Sequence, residues 1–215
     1  MQAEPEGTPS AAAMLYLFAD LWAAPDRAMT TGVKVPCKEM KVAKKALAAG
    51  LFGASFWNLL QEGFVSLDVY EHKRMFMKFT NVVATKLKEG MRPGLEGMIL
   101  AAQNPVGGEH KSARDTIRDI FGYDVSDPHG SVIRWVEQEA AEGAVMTSAK
   151  AGGIAGAFGG TRLDPICEEV AKFQPMGRQV ASRWQAWVGE QGGFAQLLLD
   201  ECAKAIASRT ESSDD

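Results

Sequence analysis

Between residues 34 and 45, five lysines (Lys34, Lys38, Lys41, Lys44 and Lys45) face a single acid, Glu39. Read as helix from Lys38 onward, Lys38, Lys41 and Lys45 fall at i, i+3 and i+7 and share one face, with Lys44 beside it. Such a stripe can hold phosphate oxygens as a row of point charges. It is also what an ordinary solvated helix face looks like. A second charged group, Glu71-His72-Lys73-Arg74 with Lys78 nearby, reads as a hairpin tip that either touches an anionic surface or is charged for solubility alone.

Other residues with chemical potential assemble into nothing catalytic. Asp127, His129 and Ser131 are neighbours along a turn, and that spacing does not make a hydrolase triad. The glycine-rich stretch "AKAGGIAGAFGGTR" at 149–162 lacks the Gly-Lys-Ser/Thr of a phosphate loop and the Gly-x-Gly-x-x-Gly of a dinucleotide fold. It reads instead as a wing whose tip carries Ile154 and Phe158 and no charge, flanked by Lys150 and Arg162, a pattern that suits a membrane interface or a partner groove. Cys37, Cys167 and Cys202 are too scattered for a disulfide framework and, with three distant histidines, offer no zinc spacing. They read as small apolar residues in a reducing compartment. No enzyme activity, metal or cofactor is expected.

The elements that must carry these residues follow from composition and periodicity. The chain has 215 residues, 46% hydrophobic and 23% charged, with a formal net charge of −4. That balance fits a globular protein and excludes one whose whole surface tracks a phosphate backbone, so any anion site must be local. Acidic residues at the start and Asp20 within the first apolar run argue against a signal peptide, and no uninterrupted apolar segment is long enough to span a bilayer. A cytoplasmic location is expected, at a membrane surface or free of one.

A loose tail at 1–10 leads to a helix over 11–24, stopped by Pro25. Gly50 and Gly53 leave one bent helix or two short ones up to Gln61. Phe52, Phe56, Leu59 and Leu60 form its inward face, and Gly63 stops it before two short ribbons over 64–79. "LLQEGFVSL" at 59–67 is echoed by "EAAEGAVMT" at 139–147, an offset of 80. Before the echo, 114–121 reads as a short helix, 127–131 as a turn with an N-cap, and Val132, Trp135, Val136 and Ala140 as one buried stripe. Trp184 and Trp187 read as core. The expected fold is mainly α with small β-hairpins: one domain over 11–209 made of tandem winged-helix-like units (about 33–80 and 114–162) and a C-terminal helical segment (163–209), then an acidic tail, 210–215.

The order "LLQEGFVSLDVYEHKRMFM", "GLEGMILAAQ" and "SVIRWVEQEAAEGAVMTSAKAGGIAGAFGGTRLDP" resembles the Golgi phosphoprotein 3-like family over roughly residues 14–170. The resemblance implies a helical, cytosolic, peripheral membrane fold that binds a phosphoinositide through a tryptophan and arginines while an apolar hairpin dips into the bilayer. By position the hairpin is 152–160, and Arg134 lies on the helix where the family places lipid-binding arginines. No tryptophan stands at 31–37, where the family has its early-loop tryptophan; the segment carries Lys34 instead.

The expectation is therefore a non-enzymatic peripheral membrane adaptor. Its anionic-lipid site would comprise Lys38, Lys41, Lys44, Lys45, Arg134, Ile154 and Phe158. A protein partner is a further expectation, and a winged-helix nucleic-acid-binding or regulatory protein is the alternative. For that alternative, Lys73 and Arg74 would sit on the wing and a recognition helix within 38–60, where only Ser55 and Asn58 offer base-reading groups beyond Leu47.

Overall fold

The structure is a computed structural model that describes residues 9–26, 32–74, 77–150 and 161–210. Ser10 starts the first helix, α1 (Ala11–Leu17), by accepting a hydrogen bond from Ala13 N–H at its hydroxyl (3.1 Å), and every residue of α1 is buried. The helix does not run to residue 24. Trp22 folds back and its indole N–H donates to Leu15 O (2.8 Å), taking a carbonyl that a continued helix would use, and the chain tightens into a 3-10 turn at Ala19–Leu21.

The lysine-rich segment is not a helix either. β1 (Val33–Lys34) and β2 (Lys41–Val42) pair antiparallel, with Val33 opposite Val42 and Lys34 opposite Lys41. The local alternation Val-Lys-Val/Met-Lys-Val, with Pro36 and Cys37 between, selects a small ribbon, because Val35 and Val42 are then both buried. Lys38 therefore lies in a turn, Lys41 in a strand, and only Lys44 and Lys45 in a helix. The i, i+3, i+7 stripe does not exist.

Helix α2 (Lys44–Gln61) is the centre of the molecule. Leu47, Leu51, Phe52, Phe56 and Leu59 are fully buried, and the helix packs against α1 and against the later helices. Burial of each such large side chain contributes about 1.5–3 kcal/mol. It is one helix in spite of its glycines, which serve close packing: a Cβ at Gly50 would enter the ring of Trp22, and one at Gly53 would meet Leu199 and Trp184. Ser55, buried in its middle, donates to Leu51 O (2.9 Å).

From α2 the chain enters β3 (Val65–Arg74) and β4 (Met77–Lys86), antiparallel with Val69 opposite Val82, and β5 (Lys111–Ser112) pairs with β4 as a third strand. This ribbon is longer than the expected one. Glu71-His72-Lys73-Arg74 are strand residues rather than the tip, and Met75 lies outside the described residues. The β-branched Thr80, Val82, Val83 and Thr85 favour the strand and extend the pairing to Lys86. Helices α3 (Gly94–Ala102) and α4 (Ala113–Phe121) follow, then α5 (Pro128–Glu142), β6 (Met146–Lys150) and β7 (Thr161–Pro165), an antiparallel pair. On α5, Val132, Val136 and Ala140 form the buried stripe, whereas Trp135 sits at its edge, half-buried against Phe121 with ring centroids 4.9 Å apart.

Three C-terminal helices close the core: α6 (Cys167–Lys172), α7 (Gln174–Gln191), with Pro175 in its first turn, and α8 (Gly193–Ala207), which packs on α2 and α4. Trp184 and Trp187 are buried and stacked at 5.5 Å, with Trp57 beside Trp184 at 5.7 Å. The molecule is thus mainly helical with small antiparallel sheets. Among the described residues no helix is long and apolar enough to cross a membrane.

Candidate functional site

Helix α2 begins badly for an isolated helix. Its N-cap is Ala43, which makes no side-chain cap, and its first two residues are lysines, set at the positive end of the helix dipole. The missing anion comes from another element. Asp127, the N-cap of α5, accepts from Gly130 N–H through Oδ1 (3.0 Å) and pairs through Oδ2 with Lys44 Nζ (2.6 Å). Partial burial works to raise the Asp127 carboxyl, but the bonds from Lys44 and Gly130, with the charges of Lys44 and Arg134, outweigh it and hold the group below the usual carboxylate range.

The rest of the cluster stands around this carboxylate. Arg134 donates through Nη2 to Ser131 Oγ (2.9 Å), whose hydroxyl donates to Asp127 O (3.1 Å). His129 is held below its ordinary value by burial first and by Lys45 and Lys44 next, with Asp127 opposing, so its imidazole is neutral at neutral pH. Lys44 and Arg134 therefore face this anion, and Lys45 stands by His129. A cavity of about 420 Å³ opens beside them, lined by Tyr123, Asp127, Ser131, Arg134, Trp135 and Gln138 among others.

The lysine ribbon is tied near the α5–β6 junction by a disulfide. Cys37, at its turn, is disulfide-bonded to Cys167 with Cα atoms 5.5 Å apart, which corrects the reading of these two cysteines as separate apolar residues. Cys202 is the free, buried one. Ile166 N–H donates to Val145 O (2.9 Å), so Cys167 sits where α5 gives way to β6. Lys44 meets α5 at its start and Cys37 reaches its finish.

Within the ribbon, Lys38 pairs with Asp20 (3.5 Å) and Lys34 with Glu39 (3.2 Å). Lys34 and Lys41 are exposed and directly opposite across the strands, an arrangement of like charges that is destabilising unless an anion lies between or beside them. The structure therefore brings Lys44, Lys45 and Arg134 into one cluster and sets Lys38 and Lys41 on the adjoining ribbon. Ile154 and Phe158 lie outside the described residues, but the β6–β7 root that leads to them adjoins the ribbon through Cys167. Sequence reading passed over Asp127 and His129 as members of the cluster, although the Asp-Pro start of α5 marked Asp127 as a cap.

A larger cavity, about 830 Å³, lies on another side and is lined by Ser10, Asn58, Arg92, Glu96, Glu139 and Glu142 among others. Its two buried carboxylates hold the start of α1. Ser10 donates to Glu139 through its backbone N–H (2.7 Å) and its hydroxyl (3.0 Å), and Ala11 N–H donates to Glu96 Oε1 (3.2 Å), which also accepts from Asn58 (3.1 Å). Arg92 bridges Glu96 (3.3 Å) and Glu62. Burial pushes the Glu96 carboxyl up to about 7 against the pull of Arg92, with Glu62 and Glu139 reinforcing the rise. These acids are engaged with backbone amides and an arginine, which is a structural assignment. Among the described residues no group of His, Cys, Asp or Glu could hold a metal ion. Comparison of the chain with protein-family models, with curated proteins and with solved structures gives no match.

Proposed function

We propose that the protein is a non-enzymatic peripheral membrane adaptor that docks on anionic lipid, of the phosphoinositide class, with the basic face along α5. In this reading α2 with β3–β4 and α5 with β6–β7 are tandem winged-helix-like units, and the protein works at the cytoplasmic surface of a membrane. The observation that carries it is the apposition, through Cys37–Cys167, of the Lys34/Lys41 ribbon with the root of the β6–β7 pair. In this reading Lys44 and Arg134, gathered at Asp127, and Lys45 beside His129 add their charge to it. Each cation near an anionic surface contributes only about 1 kcal/mol, so a face of four or five is needed to hold a protein whose net charge is negative. Ile154 and Phe158 would supply the apolar contact that charge alone lacks. The nucleic-acid reading fares worse, because the helix preceding the first ribbon is buried from Leu47 to Trp57 and has no face to offer a groove.

Co-sedimentation with liposomes tests the proposal. Vesicles of phosphatidylcholine doped with phosphatidylserine or a phosphoinositide should retain the protein, pure phosphatidylcholine should not, and added salt should weaken retention. Lys41→Glu with Lys45→Glu should reduce affinity by about tenfold or more. Phe158→Ser should weaken binding with little change in salt dependence. Retention on duplex DNA, with no preference for anionic vesicles, would sink the membrane reading in favour of the nucleic-acid one.

A further inference from the structure

We propose that the Cys37–Cys167 disulfide is a redox switch that controls the basic face, opening the lysine ribbon away from the β6–β7 root when it is reduced. The inference rests on the membrane reading above and adds its regulation. Its geometry is that of a labile, regulatory bond rather than a buried staple. Cys167 is exposed and Cys37 is only partly buried, so a reductant reaches the sulfurs without unfolding the core. The bond also joins two surface elements that are otherwise secured separately. The β6–β7 root has Val145 and Met146 buried and the Ile166–Val145 backbone bond. The ribbon has Val35 and Val42 buried, two residue pairs between its strands, the Val35–Met40 backbone bond, the Pro25–Val42 bridge with Asp26 N–H donating to Lys41 O (2.9 Å), and the Lys38–Asp20 contact. Two-residue strands are marginal on their own.

Two further features favour opening on reduction. Cys37 has φ 58°, a left-handed conformation that an L-residue with a Cβ adopts at a cost. Lys34 and Lys41 stand opposite each other across the ribbon, a like-charge pair that Glu39, 3.2 Å from Lys34, offsets only in part. In a cytoplasmic setting, where glutathione keeps thiols reduced, disulfides are characteristically transient and redox-sensing. The third thiol does not interfere, because Cys202 is fully buried and its ionisation is strongly suppressed by burial.

The chemistry balances with a dithiol as the reductant. One thiolate of the dithiol attacks Sγ of Cys167, the S–S bond breaks, and Cys37 leaves as a thiolate. The second thiol of the dithiol then closes on the mixed disulfide, releasing Cys167. The dithiol is oxidised to its cyclic disulfide, and its two protons end on Cys37 and Cys167.

The test uses the full chain, oxidised or treated with dithiothreitol, with intact-mass measurement after alkylation to count free thiols in each state. Oxidised protein should bind phosphatidylserine-doped vesicles about thirtyfold more tightly than reduced protein, the equivalent of losing the Lys34 and Lys41 contributions. Reoxidation should restore binding. Hydrogen exchange at residues 33–42 should rise on reduction, while α2 and α8 stay protected. The double variant Cys37→Gly/Cys167→Ser, in which glycine suits the positive φ, should bind like the reduced protein whatever the redox state. Equal binding in both states, or unchanged exchange at 33–42, would overturn the switch and leave the membrane reading standing. Binding to vesicles in neither state would overturn both.

Discussion

Glu96 shows how far a single side chain can be displaced from its solution chemistry by its neighbours. It is inaccessible to solvent, yet it accepts from Ala11 and Asn58 and faces Arg92, and burial still wins, raising its carboxyl to about 7. Because the folded-state value lies above the ordinary one, the protonated form favours folding. That contribution is fully present below about pH 4.5 and is lost as the pH rises through 7. The span corresponds to a few kcal/mol, on the order of 3. Glu96→Gln should flatten this part of the stability profile, so that urea unfolding at pH 5 and at pH 8 gives midpoints closer together than in the parent. A variant with the full parental slope would assign the slope to Glu137, Glu139 or Glu201, whose carboxyls burial also raises. Gly94 belongs to the same locus: its φ is +53°, and a Cβ there would run into the Glu139 carboxylate that holds Ser10.

The two helix-to-strand junctions are the same device built with different success. At the end of α2, Phe64 N–H bonds Leu59 O (2.8 Å) and Gly63 N–H bonds Leu60 O (3.0 Å). At the end of α5, Val145 N–H bonds Ala140 O (2.9 Å) and Ala144 N–H bonds Ala141 O (3.0 Å). Each is the paired closure of a left-handed C-cap. The structural repeat is thus offset by one residue more than the sequence echo. The first copy places Gly63 at the left-handed position (φ +68°), and the second places Ala144 there (φ +57°), its own Gly143 arriving one residue early. Ala144→Gly should therefore stabilise the protein by about 0.5–1 kcal/mol, the conformational relief less the added freedom of the unfolded chain. A fall in the thermal midpoint on this substitution would show that the junction gains something from the alanine methyl.

Across the whole molecule, the basic face exists because distant segments are tied together. Cys37 and Cys167 are 130 positions apart in sequence, Lys44 and Asp127 83 apart, and Ser10 and Glu139 129 apart. Closing a loop of that length removes much entropy from the unfolded chain, so reduction should lower stability by about 2–5 kcal/mol. Denaturation with and without dithiothreitol measures it, and Cys37→Gly/Cys167→Ser should lose the difference. A reductant effect that persists in the double variant would place it elsewhere. This loss is separate from any loss of lipid binding, since the helical core has Phe52, Phe56 and Leu198 buried irrespective of the bond.

What the sequence determined alone was local. The apolar periodicity of α2 and of the Val132–Val136–Ala140 stripe, the Asp127 cap, the stop at Gly63 and the helix-then-ribbon order are all specified by residues a few positions apart, and they hold in the structure. The lysine stripe failed because its local signals were divided. Helical spacing and strand alternation were both present in "VKVPCKEMKV", and burial of Val35 and Val42 against the core decided between them. The Cys37–Cys167 bond, the carboxylate caps of α1 and the gathering of Lys44, Lys45, His129 and Arg134 about Asp127 had no local signal to read. They depend on how helices stack around α2, and stacking follows from side-chain fit between segments far apart in the chain, which no contiguous window of residues contains.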